Sequence, residues 1–225
     1  MSGRVGGVVV RFTWPVRWVH WATAVLFGVC ALTAVALYVG PVAILVGHRY
    51  VVATVHTYAG LGLPVPALLG ILARSVRADA RSLERFGPHD WEWFKSADRR
   101  TGRLPIGKFN PGQKLNAAFV CGAVLLMLAT GIILWLPGPW PVVYRTGATF
   151  VHDWLALAFV VVVLGHLRFA FRDPEARRGM RTGVVARSWA RREHPGWAAS
   201  VEAAEPPRRD QRDDERDEGH HAHAE

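Results

Sequence analysis

The stretch ATFVHDWLALAFVVVVLGHLRFAF, residues Ala148 to Phe171, decides the fold. It exceeds the roughly 20 mostly apolar residues that a helix needs to cross a bilayer core. It also carries two histidines, His152 and His166, set 14 residues apart. At 100° per residue that interval falls only about 40° short of four full turns, so both imidazoles project from nearly one face, roughly 21 Å apart along the axis. An ionisable side chain is costly in hydrocarbon and reads as a functional site there.

Three further stretches are apolar enough to span: Val19 to Tyr38, Val51 to Ala73 and Leu115 to Leu136. The first is too long for the apolar region of a cleavable leader, and no small-residue cleavage site with a soluble domain follows it. Pro64 and Pro66 predict a kink in the second, which neighbouring helices can re-satisfy inside a membrane. The expected fold is all-α: an integral membrane four-helix bundle over residues 12–172, with a tail over 173–225. The tail is nearly all charge, Pro, Ala and His from about residue 202, so it is expected to be disordered there. His220, His221 and His223 belong to that solvated stretch.

Of 225 residues, 27 are Lys or Arg and 18 are Asp or Glu, for a formal charge of +9. A pI near 10.5 suggests nucleic acid or an anionic membrane surface. The arginines lie beside the spans, which excludes nucleic acid and favours lipid. The loop from Arg74 to Lys114 holds ten basic residues against five acidic ones. Arg4, Arg11 and Arg17 precede the first span, and the other two loops offer Arg49 and Arg145. By the positive-inside rule both termini and the long loop face the cytoplasm, in a bacterial cytoplasmic membrane. Trp14, Trp18, Trp21, Trp135, Trp140 and Trp154 sit near the span ends as an interfacial belt would. Cys30 and Cys121 lie in apolar runs and read as buried small hydrophobes.

Depth then sorts the intramembrane histidines. His20 and His166 lie near the cytoplasmic ends of their spans, and His56 and His152 near the outer ends. Two stacked b-type haems, each held by two histidines from facing helices, need this arrangement. Filling both axial positions favours electron transfer over oxygen chemistry. A zinc site wants about four ligands converging on one point, and a proton relay leaves the pairing unexplained. His48 is a weaker candidate, in a loop beside Arg49. Gly60, Gly62, Gly70, Gly122 and Gly131 suit a flat macrocycle or ordinary close helix packing alike. Arg11, Arg17, Arg49 and Arg168 are placed to meet propionates, although the positive-inside rule explains all but Arg49.

The residues from Phe12 to Arg172 resemble the di-haem cytochrome b (gamma) subunit of respiratory formate dehydrogenases, and the related nickel–iron hydrogenase cytochrome b. The marks are His20-Trp21, His56 followed by Gly60, Thr130-Gly131 with Trp135, and the His152/His166 spacing. Most telling is Gly107-Lys-Phe-Asn110-Pro-Gly112-Gln113-Lys114, preceded by Asp90-Trp91-x-Trp93. It is similar to the Asn-x-Gly-Gln-Lys signature of the formate dehydrogenase type. Residues after Arg172 have no counterpart in this resemblance.

The resemblance implies a direction and an acceptor. An iron–sulfur subunit and a catalytic dehydrogenase subunit on the outer face would feed the outer haem, and the inner haem would follow. A quinone, menaquinone or ubiquinone, would then be reduced at the cytoplasmic side, with Asn110, Gly112 and Gln113 lining its pocket beside His166. The same segment also reads as a helix-entry turn built on Pro111 and Gly112. No cysteine framework or nucleotide motif is visible, so donor oxidation would fall to a partner. The alternatives are a cytochrome b serving a hydrogenase, a thiosulfate reductase or quinol oxidation, and a non-redox histidine-bearing scaffold or transporter.

Overall fold

The computed structural model describes residues 7–96 and 103–205. A three-residue strand β1 (Val8–Val10) precedes the first long helix, α1 (Trp14–Tyr38), which begins with a proline in its first turn. A short helix α2 (Gly40–Val46) ends on Gly47 at φ 68°, a left-handed turn that glycine adopts without strain. The second span is broken, as its prolines predict: α3 (Arg49–Gly62) gives way to α4 (Val65–Gly70). Pro64 lacks the N–H that would continue the ladder.

Two surface helices, α5 (Arg74–Glu84) and α6 (Pro88–Lys95), follow, and then the spans α7 (Pro111–Trp135) and α8 (Val142–Arg172). Among the described residues, four helical segments are thus long and apolar enough to cross a membrane. Within them few side chains are covered by the protein itself. Leu32 is 74% exposed, Val143 72% and Phe171 66%, a surface that water would not tolerate at this extent. Cys30 is half-buried but Cys121 is exposed on the outside of α7. The expectation of a buried Cys121 is therefore corrected, because apolar character here answers to lipid rather than to a protein core.

α1 packs along α3 and α4, and α7 packs along α8, so the bundle is two helical hairpins meeting at a seam. Phe27 of α1 stacks on Phe159 of α8 across that seam, with ring centres 4.5 Å apart. Phe119 of α7 meets the same ring edge-on at 5.9 Å.

From Asp173 to Glu205, the part of the tail that the structure describes, the chain is folded. Helix α9 (Pro174–Thr182), strand β2 (Val184–Ala186), α10 (Arg187–Glu193) and α11 (Pro195–Ala204) make a small cap on the side of the termini. β2 pairs antiparallel with β1 in the register Val9↔Val185, so the fold is mostly helical with one minimal ribbon. Val9, Val185, Trp189, Ala190 and Ala198 form the cap's own core. Residues 202–204, expected to lie in the disordered tail, belong to α11; the rest of that tail, with His220, His221 and His223, lies outside the described residues.

Two glycines fasten the cap. Gly183, at φ 90°, accepts the Arg11 and Phe12 N–H groups on its carbonyl at 2.8 and 3.0 Å. Gly196 lies so close to the long loop that a Cβ would stand 2.6 Å from the Pro105 carbonyl oxygen. Backbone cannot yield as a flexible side chain does, so Gly196→Ala should weaken cap docking by about 1–3 kcal/mol, the usual cost of overpacking. Limited proteolysis in detergent should then cleave within residues 187–205 faster than in the parent protein.

Candidate haem and loop site

The four intramembrane histidines meet as two pairs. His20 of α1 faces His166 of α8 with ring centres 6.3 Å apart. His56 of α3 faces His152 of α8 at 6.4 Å. Both pairs straddle the seam, one toward the termini and one toward the far side. His48, which caps the start of α3, belongs to neither pair.

The far-side pair is braced. The Nδ1 of His56 lies 2.8 Å from the Thr33 hydroxyl on α1. The Nδ1 of His152 lies 2.9 Å from the Thr130 hydroxyl on α7. In the other pair, the His20 Nδ1 is buried without a hydrogen-bond partner among the described residues. Beside His152, Asp153 accepts a hydrogen bond from the Tyr38 hydroxyl, linking α8 to the end of α1. The sequence reading passed over that carboxylate.

On the side of the termini, Asn110 to Lys114 forms the entry to α7. Asn110 Oδ1 accepts the Gln113 N–H and Gln113 Oε1 accepts the Asn110 N–H, each at 2.9 Å. This reciprocal capping box satisfies two of the orphan donors at a helix start. A Cβ at Gly112 would stand 3.5 Å from the Trp93 ring. The helix-entry reading of the segment is therefore correct.

Buried charges hold the segment in place. Lys114 donates to Asp90 and to the Arg85 carbonyl, both at 2.7 Å, and Asp90 also accepts the Gly87 N–H. Lys108 donates to Asp79 at 2.5 Å. Burial pushes the Asp79 carboxyl up and the Lys108 ammonium down, and their mutual attraction opposes both shifts. Arg11 is only 3% exposed and donates to the Lys108 carbonyl at 2.8 Å. Its guanidinium lies 4.7 Å above the Trp189 ring, and burial pulls its pKa down to about 10. His194 bridges Arg11, at 3.0 Å, and the Gly107 carbonyl, at 2.8 Å.

Arg11 and His194 are thus anchors of the loop that the sequence did not disclose. Arg17 donates to the Arg181 carbonyl and Arg49 to the Leu37 carbonyl. Three of the four arginines considered for propionates thus have partners within the protein.

The sequence model of the prokaryotic cytochrome b561 family matches residues 11–183. The chain belongs to that family. It is 24% identical to the cytochrome b556(Fdn) subunit of the nitrate-inducible formate dehydrogenase of Escherichia coli K12, over 88% of this chain and 94% of that protein. It is 25% identical to the cytochrome b556(fdo) subunit of formate dehydrogenase from the same organism, over 86% and 93%. The formate dehydrogenase cytochrome b556 subunit of Haemophilus influenzae is 24% identical, over 84% and 82%. With its four apolar helices, the chain is a multi-pass protein of the bacterial inner membrane.

A cytochrome b of this family implies haem b, and the histidine pairs fit it. A metal–imidazole bond of about 2.0–2.1 Å, with a ring nitrogen about 1.1 Å from its ring centre, puts two axial imidazoles roughly 6.3 Å apart. Two imidazoles bonded to each other through N–H···N would stand nearer, at about 5 Å. Among the described residues no three metal-binding side chains cluster, so the pairs do not merge into a zinc-like site.

The glycines divide by role. A Cβ at Gly70 would fall 2.4 Å from Val19, and one at Gly62 would touch Leu26, so these two serve close helix packing. A Cβ at Gly60, one turn from His56, or at Gly122 would meet nothing within 4 Å, which leaves room for a flat ring. Gly131 lies against His152, where a Cβ would come 3.5 Å from Cε1.

Lys114 and Asp90 are 10% and 9% exposed in their side chains. Lys114→Met should cost about 3 kcal/mol by stranding the Asp90 charge. Combining it with Asp90→Leu should recover part of that loss, and thermal unfolding of the purified proteins reads both.

Proposed function

We propose that this chain is the membrane electron-transfer subunit of a formate dehydrogenase-type complex, carrying electrons from a partner on the far side to a quinone on the side of the termini. The observation that carries this reading is the pair of closely similar imidazole separations, 6.3 and 6.4 Å, offered at two levels of one helix. His56 and His152 would hold one b haem, and His20 and His166 a second. Bound there, the haems would supply one-electron chemistry.

The protein's own residues do the rest. α8 contributes one ligand to each level and sets their separation at four turns. The basic loop and both termini face the cytoplasm in this reading, and the far side receives an iron–sulfur subunit joined to the catalytic subunit. The names of the relatives, all subunits of formate dehydrogenases, support that partnership. Residues 12–172 form the electron-carrying domain, and residues 173–225 a cytoplasmic extension whose first part is the cap.

Asn110, Gly112 and Gln113 would meet the quinone, menaquinone or ubiquinone. The capping box engages both side-chain oxygens, leaving the two amide NH2 groups to donate to a quinone carbonyl. Gly112 lets the backbone lie close beside the Trp93 ring.

The purified chain should show a dithionite-reduced b-type spectrum with two haems per polypeptide. His56→Ala and His152→Ala should each retain one haem, and His20→Ala and His166→Ala should each retain the other. A colourless wild-type protein would overturn the proposal. Gln113→Ala should slow reduction by a quinol analogue roughly tenfold, the loss expected from one hydrogen bond to a substrate, while both haems remain bound.

A further inference from the structure

The two histidine levels differ in what holds their outer nitrogens. Thr33 lies on α1 and Thr130 on α7, so each reaches a histidine on the neighbouring helix of its own hairpin. Both hydroxyls also bond backward into their own helix. Thr33 Oγ1 donates to the Val29 carbonyl at 2.7 Å, with Cys30 O at 3.0 Å. Thr130 Oγ1 donates to the Leu126 carbonyl at 2.8 Å, with Met127 O at 3.2 Å.

A hydroxyl owns one proton and two lone pairs. With its proton committed to the preceding turn, as threonine in a helix often commits it, each hydroxyl can only accept from its histidine. Nδ1 of His56 and of His152 must therefore carry the proton, and Nε2 on the opposite side of each ring is left with a bare lone pair. The same solution occurs twice, on two helix pairs, and among the described residues at one level only.

We propose that Thr33 and Thr130 are positioning residues for the far-side haem, fixing the tautomer and orientation of His56 and His152 and making that haem the harder of the two to reduce. The inference rests on the two-haem reading. A hydrogen bond accepted from Nδ1–H pushes electron density through the ring and raises the basicity of Nε2 as a ligand. A more basic ligand favours the oxidised iron, which lowers the midpoint potential. The His20 Nδ1 has no such acceptor among the described residues, so the two levels are unequal by construction. The polarity runs from the braced level to the unbraced one, from far side to termini.

The test is a potentiometric titration of the purified holoprotein, followed by haem absorbance and by electron paramagnetic resonance of the oxidised state. The haem assigned to the far side is the one missing from His56→Ala. Thr33→Val and Thr130→Val should each shift its midpoint potential upward and change its resonance, leaving the second haem where it was. The double variant should shift it further, or lose that haem about tenfold faster, as removal of such supporting partners does elsewhere.

Thr33→Ser and Thr130→Ser should return the parental potential. Thr149→Val removes a hydroxyl with the same backward bond but no histidine contact, and should change nothing. If a valine variant does not accumulate, the corresponding Thr→Cys variant, with a weaker acceptor, should give a smaller upward shift. Unchanged potentials in the valine variants, or equal shifts in both haems and in Thr149→Val, would overturn the inference. Absence of haem from the wild type is a separate result, which would defeat the reading beneath it.

Discussion

An imidazole held in hydrocarbon must place a donor and an acceptor nitrogen without help from water, and everything in this bundle is arranged around that constraint. At the far side the answer is explicit. A threonine hydroxyl on the neighbouring helix meets Nδ1 of each histidine, at 2.8 and 2.9 Å. The pairing of α1 with α3 and of α7 with α8 brings a threonine to the histidine of each hairpin. The two hairpins then meet with imidazoles facing at just over 6 Å. That is too far for the rings to satisfy each other and right for a metal between them.

The side of the termini solves a different problem, holding a polar loop rigid at the membrane surface. Buried ion pairs such as Lys108–Asp79 and Lys114–Asp90 contribute little net stability after desolvation. Their value is geometric. Each joins a residue of the segment 107–114 to α5 or α6, while Arg11 and His194 clamp the same segment from the cap. Removing any one strands a buried charge or donor, so the segment has one arrangement. The capping box then starts α7 in a fixed register, and that register carries Thr130 to His152 five turns later. The loop and the far-side histidines are thereby connected through a single helix.

The spans, the broken second helix and the pairing of the four histidines were legible in the sequence, because hydropathy and helical spacing report directly on depth and face. The pairs themselves followed from depth alone, without knowledge of which helices touch. What was not legible depends on contacts between distant segments. Thr33 and Thr130 look like ordinary small polar residues in apolar runs until the neighbouring helix is in place. Arg11 read as one more cytoplasmic charge, although it is buried under Trp189. The cap escaped notice because its core comes from both chain ends, with Val9 packing on Val185 and Ala198. Local composition around residues 173–205 shows charge, and only the tertiary partner reveals the apolar stripe.

A bundle that moves electrons across a membrane has to do so without becoming a path for protons. Phe159 lies seven residues from His152 and seven from His166, at the midpoint of the interval on α8. Phe27, seven residues beyond His20, stacks on it, and Phe119 closes against its edge. Three aromatic rings thus meet between the two histidine levels, and Phe159 is 5% exposed. A water chain needs polar partners along its length, and these three rings offer it none. Electrons do not require such a chain, whereas protons do. The four-turn interval that separates the two histidine pairs along α8 thus also leaves room for an aromatic layer between them.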